Sequence, residues 1–240
     1  MQSVRIPGFS PSAFGFRFTN DFPKVPVIEL PIPGMNLGLG DASNGLCGGM
    51  SLAAADLYTA GKAPPADQTA PAQGPLFDYL VHRAFDSFEL PDGPMRYLMW
   101  MGLSDQDALF GIHGVVWRTI TQEWPKVRAD IDAGRPSALG LIRTRSFNPH
   151  DLALNHQVLA YGYDLDDVNR RVTAIHVYDP NYPADGTVAI AVKRQDPPEA
   201  STFSYVQGDY PVRGFFRTAW TPKDPSPIAS SDGPPAGEAP

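Results

Sequence analysis

The only cysteine in this 240-residue chain, Cys47, lies in "NGLCGGMSLAAADLY" (44–58). A thiol attacks as its thiolate, and its ordinary value near pH 8.5 must be lowered for that form to exist at neutral pH. The positive end of a helix and a neighbouring imidazolium both do this. Met50, Ala54, Leu57 and Tyr58 recur at i, i+4, i+7 and i+8, which predicts a helix over 47–60 with Cys47 at its start. Gly45, Gly48 and Gly49 strip side chains from around the thiol, so Gly48 and Gly49 are expected to face a substrate backbone. A free cysteine is also among the most buried residue types, so these features alone leave core and chemistry both open.

A reactive cysteine needs a histidine, and five are available: His82, His113, His150, His156 and His176. His82 falls inside a helical pattern, His113 precedes one, His150 sits in a loop, and His176 lies within a strand pattern. His156 opens "HQVLAYGYD", where an imidazole can project from a strand end into a cleft. A third group must accept from the second ring nitrogen. The next strand ends "HVYDPNYP", offering Asp179 and Asn181. If the two strands pair about the "DLDDVNRR" turn, His156 at the start of one lies beside Asp179 at the end of the other. Taken alone, Asp179 before Pro180 reads as a turn cap; the order of cysteine, histidine and aspartate is what points to chemistry. Asn155, directly before His156, is expected on the substrate side.

The segments "LCGGMSLAAADLY" and "NHQVLAYGYD…VTAIHVYDPNYP" resemble the papain-like cysteine peptidase superfamily, most closely the peptidase domains that process bacteriocin leader peptides. The stretch from "GFRFTNDFP" to "LYTAGK" also resembles a group of uncharacterised bacterial proteins. The superfamily resemblance implies Cys47 as nucleophile, His156 as general base and Asp179 as the orienting carboxylate. It covers about residues 40–60 and 125–190, in the family's chain order. One position departs from the pattern: the family's glutamine six residues before the cysteine is Asp41 here, a carboxylate where an oxyanion donor belongs. Asn44 is the expected substitute, together with the backbone N–H of Cys47. Loss of one such donor costs on the order of a hundred- to a thousandfold in rate.

The elements that must position these groups divide by grammar. Residues 1–43 are rich in proline and read as loop, to be ordered only by packing Phe14, Phe16, Phe18 and Phe22 onto the body. Helical patterns follow at 47–60, 76–90 and 94–103, then at 114–124 and 125–134, divided by Pro125. Short strand-like runs then occupy 137–143, 156–164, 171–179, 186–194 and 212–220. Helices first and strands afterwards predict an α+β, papain-like fold with an antiparallel sheet. The expected organisation is one domain over 1–220, with a helical lobe at 44–134, a sheet lobe at 135–220, and a disordered proline-rich tail over 221–240.

Composition narrows the function further. A net charge of −7 with no Lys/Arg-rich stretch argues against nucleic acid as a partner. One cysteine rules out an internal disulfide and any multi-cysteine zinc site. "GLGDASNGLCGG" lacks the Gly-Lys-Ser/Thr of a phosphate loop, and "DLDDVN" lacks the central glycine and terminal glutamate of a calcium loop. A Cys47/His156/Asp179 metal site is chemically conceivable but has no supporting motif, so no metal or cofactor is expected. No apolar run approaches roughly 18 residues and no signal-peptide pattern opens the chain, so a soluble, cytoplasmic protein without membrane contact is expected. The expected function is hydrolysis of a peptide or amide bond through a Cys-His-Asp triad. Acyl transfer by the same triad and an inactive binding module retaining the fold are the alternatives; a purely structural protein has only the proline-rich tail behind it.

Overall fold

The computed structural model describes residues 1–23, 28–32, 35–39, 46–89, 92–107, 111–183, 185–208 and 211–231. The architecture is α+β: a block of helices followed by strands that form one antiparallel sheet. The helices are α1 (Pro11–Phe14), α2 (Cys47–Ala60), α3 (Pro75–Ser87), α4 (Asp92–Gly102), α5 (Val115–Arg118) and α6 (Trp124–Asp132). The strands of the main sheet are β1 (Gln2–Arg5), β4 (Ser137–Ile142), β5 (His156–Leu165), β6 (Val172–Tyr178), β7 (Ala189–Lys193), β8 (Thr202–Tyr205) and β9 (Gly214–Thr218). Their order is β8-β7-β6-β5-β4-β9, and β1 pairs with β5 over Gly162–Leu165, beyond the stretch that β4 occupies.

Helix α2 has the predicted bounds but not the predicted one-sided burial. Every residue from Gly48 to Leu57 is buried, Ser51 and Asp56 included, because α3, β5 and the N-terminal segment enclose it. Phe14, Phe16, Phe18 and Phe22 supply part of that cover, as expected, all four being buried in the same core. The wholly small-residue run Ala53–Ala55 lets these neighbours approach α2 closely, as dense interiors require. The buried carboxylate of Asp56 is met by Arg83 of α3: Nη2 donates to Oδ1 (3.2 Å), and Nε lies 2.8 Å from Oδ2 at a poor hydrogen-bonding angle.

Four expectations need correction. The N-terminal region is not all loop, since β1 extends the sheet and Ile28–Ile32 pairs with Met35–Leu39 as a two-stranded hairpin (β2 and β3). Pro125 does not break the helix. A π-turn over Thr119–Glu123, in which the Trp124 N–H donates to the Thr119 carbonyl, carries the chain past a residue with no N–H to give. Residues 221–231 are docked rather than disordered. The Thr221 carbonyl accepts from Arg83 (3.2 Å), the Lys223 N–H donates to Asp56 (2.9 Å), and Ile228 is buried. The fourth correction is β8, a strand no sequence pattern indicated, which closes the sheet beside β7. Trp100 is core, packed on Phe216 at 5.4 Å. No helix among the described residues is long and apolar enough to cross a membrane.

Candidate active site

Cys47 is the first residue of α2, after Leu46 in a non-helical conformation (φ −111°, ψ 38°). Leu46 is buried and its N–H donates to Asn20 Oδ1 (2.6 Å), which ties the entry of the helix to the N-terminal segment. Fourteen residues later Gly61, at φ 63°, ends α2 in the left-handed conformation that favours glycine. The intervening peptide dipoles leave the positive end of the helix at Cys47.

The glycines after Cys47 serve packing. A Cβ at Gly49 would lie 2.0 Å from the Leu80 carbonyl oxygen of α3, and one at Gly48 would lie 1.9 Å from Gln157 Oε1 and 2.2 Å from Ser87 Oγ. Both positions face inward, so the missing side chains admit α3 and β5 rather than a substrate; the expectation that they face substrate is corrected on this point. Cys47 and Ser51, one turn apart, meet the backbone of the same residue of β5, Gln157. The Gln157 N–H donates to the Cys47 sulfur, and the Ser51 hydroxyl donates to the Gln157 carbonyl at 3.4 Å. This pair of contacts sets the height of α2 against the strand that carries His156.

His156 begins β5 and is 7% exposed, whereas Cys47 keeps more of its surface open. The hairpin pairing that the sequence suggested is present: Leu159 faces Tyr178 across β5 and β6, so Asp179 arrives beside His156. His156 Nε2 lies 2.7 Å from Asp179 Oδ1, leaving Nδ1 for its hydrogen bond with the Cys47 thiol. Asp179 is 1% exposed and fully engaged. Its Oδ1 also accepts the Asn181 N–H (2.8 Å), and its Oδ2 accepts the Tyr205 hydroxyl (2.5 Å). The Asn181 side-chain amide stands 3.5 Å from His156 Nε2.

The electrostatics follow from these contacts. Burial alone would push the Cys47 thiol up, but the His156 charge and hydrogen bond, with the Gln157 N–H, outweigh it and hold the thiol below its ordinary value. Burial would likewise lower His156, yet the Asp179 carboxylate and the Cys47 thiolate raise it to about 10. Asp179 is held below the usual carboxylate range despite its burial, chiefly by His156, with help from Tyr205 and the Asn181 N–H. One state satisfies all three shifts: thiolate, imidazolium and carboxylate in line. Ionised pairs this deep persist only when every member is hydrogen-bonded, and here each is.

The other histidines lie elsewhere. His82 contacts the Asp78 carbonyl (2.7 Å), His113 pairs with Asp107 (2.6 Å) and stacks on Trp117, His150 is exposed, and His176 pairs with Asp164 (2.8 Å). Asn155 is also removed from the expected substrate side, because its Oδ1 accepts the Arg143 N–H (3.1 Å) and its Nδ2 donates to the Leu152 carbonyl (3.3 Å). Its role is to hold the turn that delivers His156. Asp41 and Asn44, the two residues on which the oxyanion expectation turned, lie outside the described residues. Among the described residues no group of three His, Cys, Asp or Glu side chains is arranged to hold a metal ion.

Two site residues escaped the sequence reading. Tyr205 comes from β8, a strand four residues long, and no spacing links it to Asp179. Gln157 was visible beside His156, but its role is carried by its backbone, which no residue type signals. A cavity of about 10 Å³, room for about one water, sits beside His156 and Asp179 between Arg143, Asn181, Tyr205 and Val212. No known protein family matches the chain, and no protein of curated function matches it in sequence.

Proposed function

We propose that this chain is a papain-like cysteine hydrolase acting on a peptide or amide bond. The observation that carries the reading is the buried relay from Cys47 through His156 to Asp179, at the positive end of a 14-residue helix. In this mechanism the Cys47 thiolate attacks the carbonyl carbon, and the carbonyl π electrons move onto oxygen. The backbone N–H of Cys47 meets that oxyanion. As the C–N bond breaks, His156 Nδ1 gives its proton to the departing amine, leaving a thioester. Neutral His156 then takes a proton from water, hydroxide adds to the thioester, and the thiolate leaves with the acid product. Asp179 orients the ring and stabilises the imidazolium throughout. An amine in place of water at the second step gives acyl transfer.

Activity needs thiolate and imidazolium together, so it rises through the lowered Cys47 value and falls as His156 loses its proton near pH 10. The coupled pair sets both limbs.

The second reading is a binding module that keeps the fold without the chemistry. The observation favouring it is that Gly48, Gly49 and Asn155 are engaged in packing and turn contacts, which leaves fewer groups to hold a substrate. A fluorogenic peptide-amide library, with intact-mass detection of a thioester adduct on Cys47, separates the two. Turnover and adduct lost in Cys47→Ala support the hydrolase; labelling of a reactive thiol with no turnover on any amide supports the module.

A further inference from the structure

A second cavity, of about 430 Å³, lies at the opposite end of α2 from Cys47. Tyr58 and Thr59 of the last turn of α2 line it, and Tyr58 is 11 residues from Cys47, or about 16 Å along the helix. The volume is in the range of about 300–1,000 Å³ typical of small-molecule sites. Its apolar lining is Trp220, Pro136, Pro222 and Tyr58, and its charged lining is Asp130, Arg135 and Arg217.

The charged groups of the lining have donors to spare. Asp130 is buried and saturated: it accepts from Arg217 Nε (2.5 Å) and Nη2 (3.4 Å), Arg135 Nη2 (3.0 Å) and the Ser137 hydroxyl (3.1 Å). One carboxylate thus faces two guanidinium groups. Arg217 Nη1, and Nε and Nη1 of Arg135, have no acceptor among the described residues. The carbonyl ends of α2 and α6 offset part of the arginine charge, but carbonyls at those helix ends leave these N–H groups unmet. A planar fork with free donors recognises a carboxylate or phosphate, and a flat ring suits the apolar wall.

From this arrangement we propose that the cavity is a binding site for a small aromatic oxyanion, with its carboxylate or phosphate on Arg135 and Arg217 and its ring against Trp220. Asp130 holds the two arginines in place. The site is separate from the Cys47 relay, and it stands whether or not that relay hydrolyses anything.

The test is calorimetric titration of the intact chain with benzoate, phenyl phosphate, acetate and inorganic phosphate. Benzoate or phenyl phosphate should bind saturably, and whichever binds better identifies carboxylate or phosphate as the anchor. Acetate and inorganic phosphate should bind at least tenfold more weakly than their aromatic counterparts. Arg135→Ala, at a side chain 61% exposed, should weaken the aromatic probe at least tenfold while the chain still melts cooperatively, somewhat below wild type because the buried Asp130 loses one of its donors. Trp220→Ala should weaken the aromatic probes to the level of the ringless ones. No saturable binding by any probe up to about 10 mM, or equal affinities in wild type and both variants, would overturn the proposal.

Discussion

Replacing Tyr205 with phenylalanine removes one oxygen from the candidate site and leaves the rest of the ring in place. The hydroxyl donates to Asp179 Oδ2 at 2.5 Å, and Asp179 is 1% exposed, so the variant leaves that carboxylate oxygen buried without its described donor. Hydrogen bonds to charged groups contribute about 1.5–3 kcal/mol. The small neighbouring cavity lets a water recover part of that, which sets the lower end. For a chain of this size about 1 kcal/mol moves the melting temperature by about 2–4 °C, so Tyr205→Phe should melt about 3–12 °C below wild type at neutral pH. The pH dependence distinguishes this contact from lost packing. Tyr205 helps hold the Asp179 value down, so its contribution is fully present above the unfolded carboxylate value near pH 4 and lost as pH falls through the lower folded value. Thermal melts of wild type, Tyr205→Phe, Asp179→Asn and the double variant complete the measurement. The phenylalanine should cost clearly less once Asp179 is asparagine. A difference under about 0.5 kcal/mol, or one that is the same in both backgrounds, refutes the buried Tyr205–Asp179 contact.

The packing around α2 makes three further predictions. Gly49→Ala sets a methyl against the Leu80 carbonyl, which is backbone and cannot step aside, so it should cost at least about 1–3 kcal/mol in urea unfolding, and more than Gly48→Ala, whose closest neighbour is the end of the Gln157 side chain. Arg83→Met strands the buried Asp56 carboxylate and should cost about 3–5 kcal/mol by the same measurement; an effect under about 1 kcal/mol would mean that the pair is not formed. Ile228→Ala should cost about 2–4 kcal/mol if residues 221–231 are docked as described, and nothing measurable if they are not.

The parts of the structure legible in the sequence are those governed by local period and punctuation. Met50, Ala54, Leu57 and Gly61 suffice to bound α2, because helix phase and a left-handed stop are properties of a short segment. The meeting of His156 and Asp179 was also countable, since a hairpin with a tight turn brings fixed positions together. Apart from the β2–β3 hairpin and the π-turn before Pro125, which are local, the misses come from contacts distant in sequence. Ser-Leu-Ala-Ala-Ala-Asp reads as one apolar face with polar neighbours, but three surrounding elements bury every side. The glycines beside Cys47 fit both an open site and a tight helix crossing, and only the position of Leu80 decides between them. The proline-rich 221–231 looks structureless until Asp56 and Arg83 are seen to need its backbone groups. Tyr205 had no signal because a four-residue strand at a sheet edge carries almost no pattern.

Whether Cys47 stands as a thiolate held by His156 is read from the rate of its alkylation by iodoacetamide against pH. A thiol with an ordinary value near 8.5 is only about 0.3% ionised at pH 6. With the paired thiolate, wild type should label rapidly at pH 6. His156→Ala, checked for an unchanged melting profile, should label on the order of a hundredfold more slowly there and recover only above about pH 8, since burial without the imidazolium pushes the thiol up. Slow labelling of both proteins at pH 6, with equal rates that rise together only above about pH 8, would contradict the ion pair and the chemistry built on it.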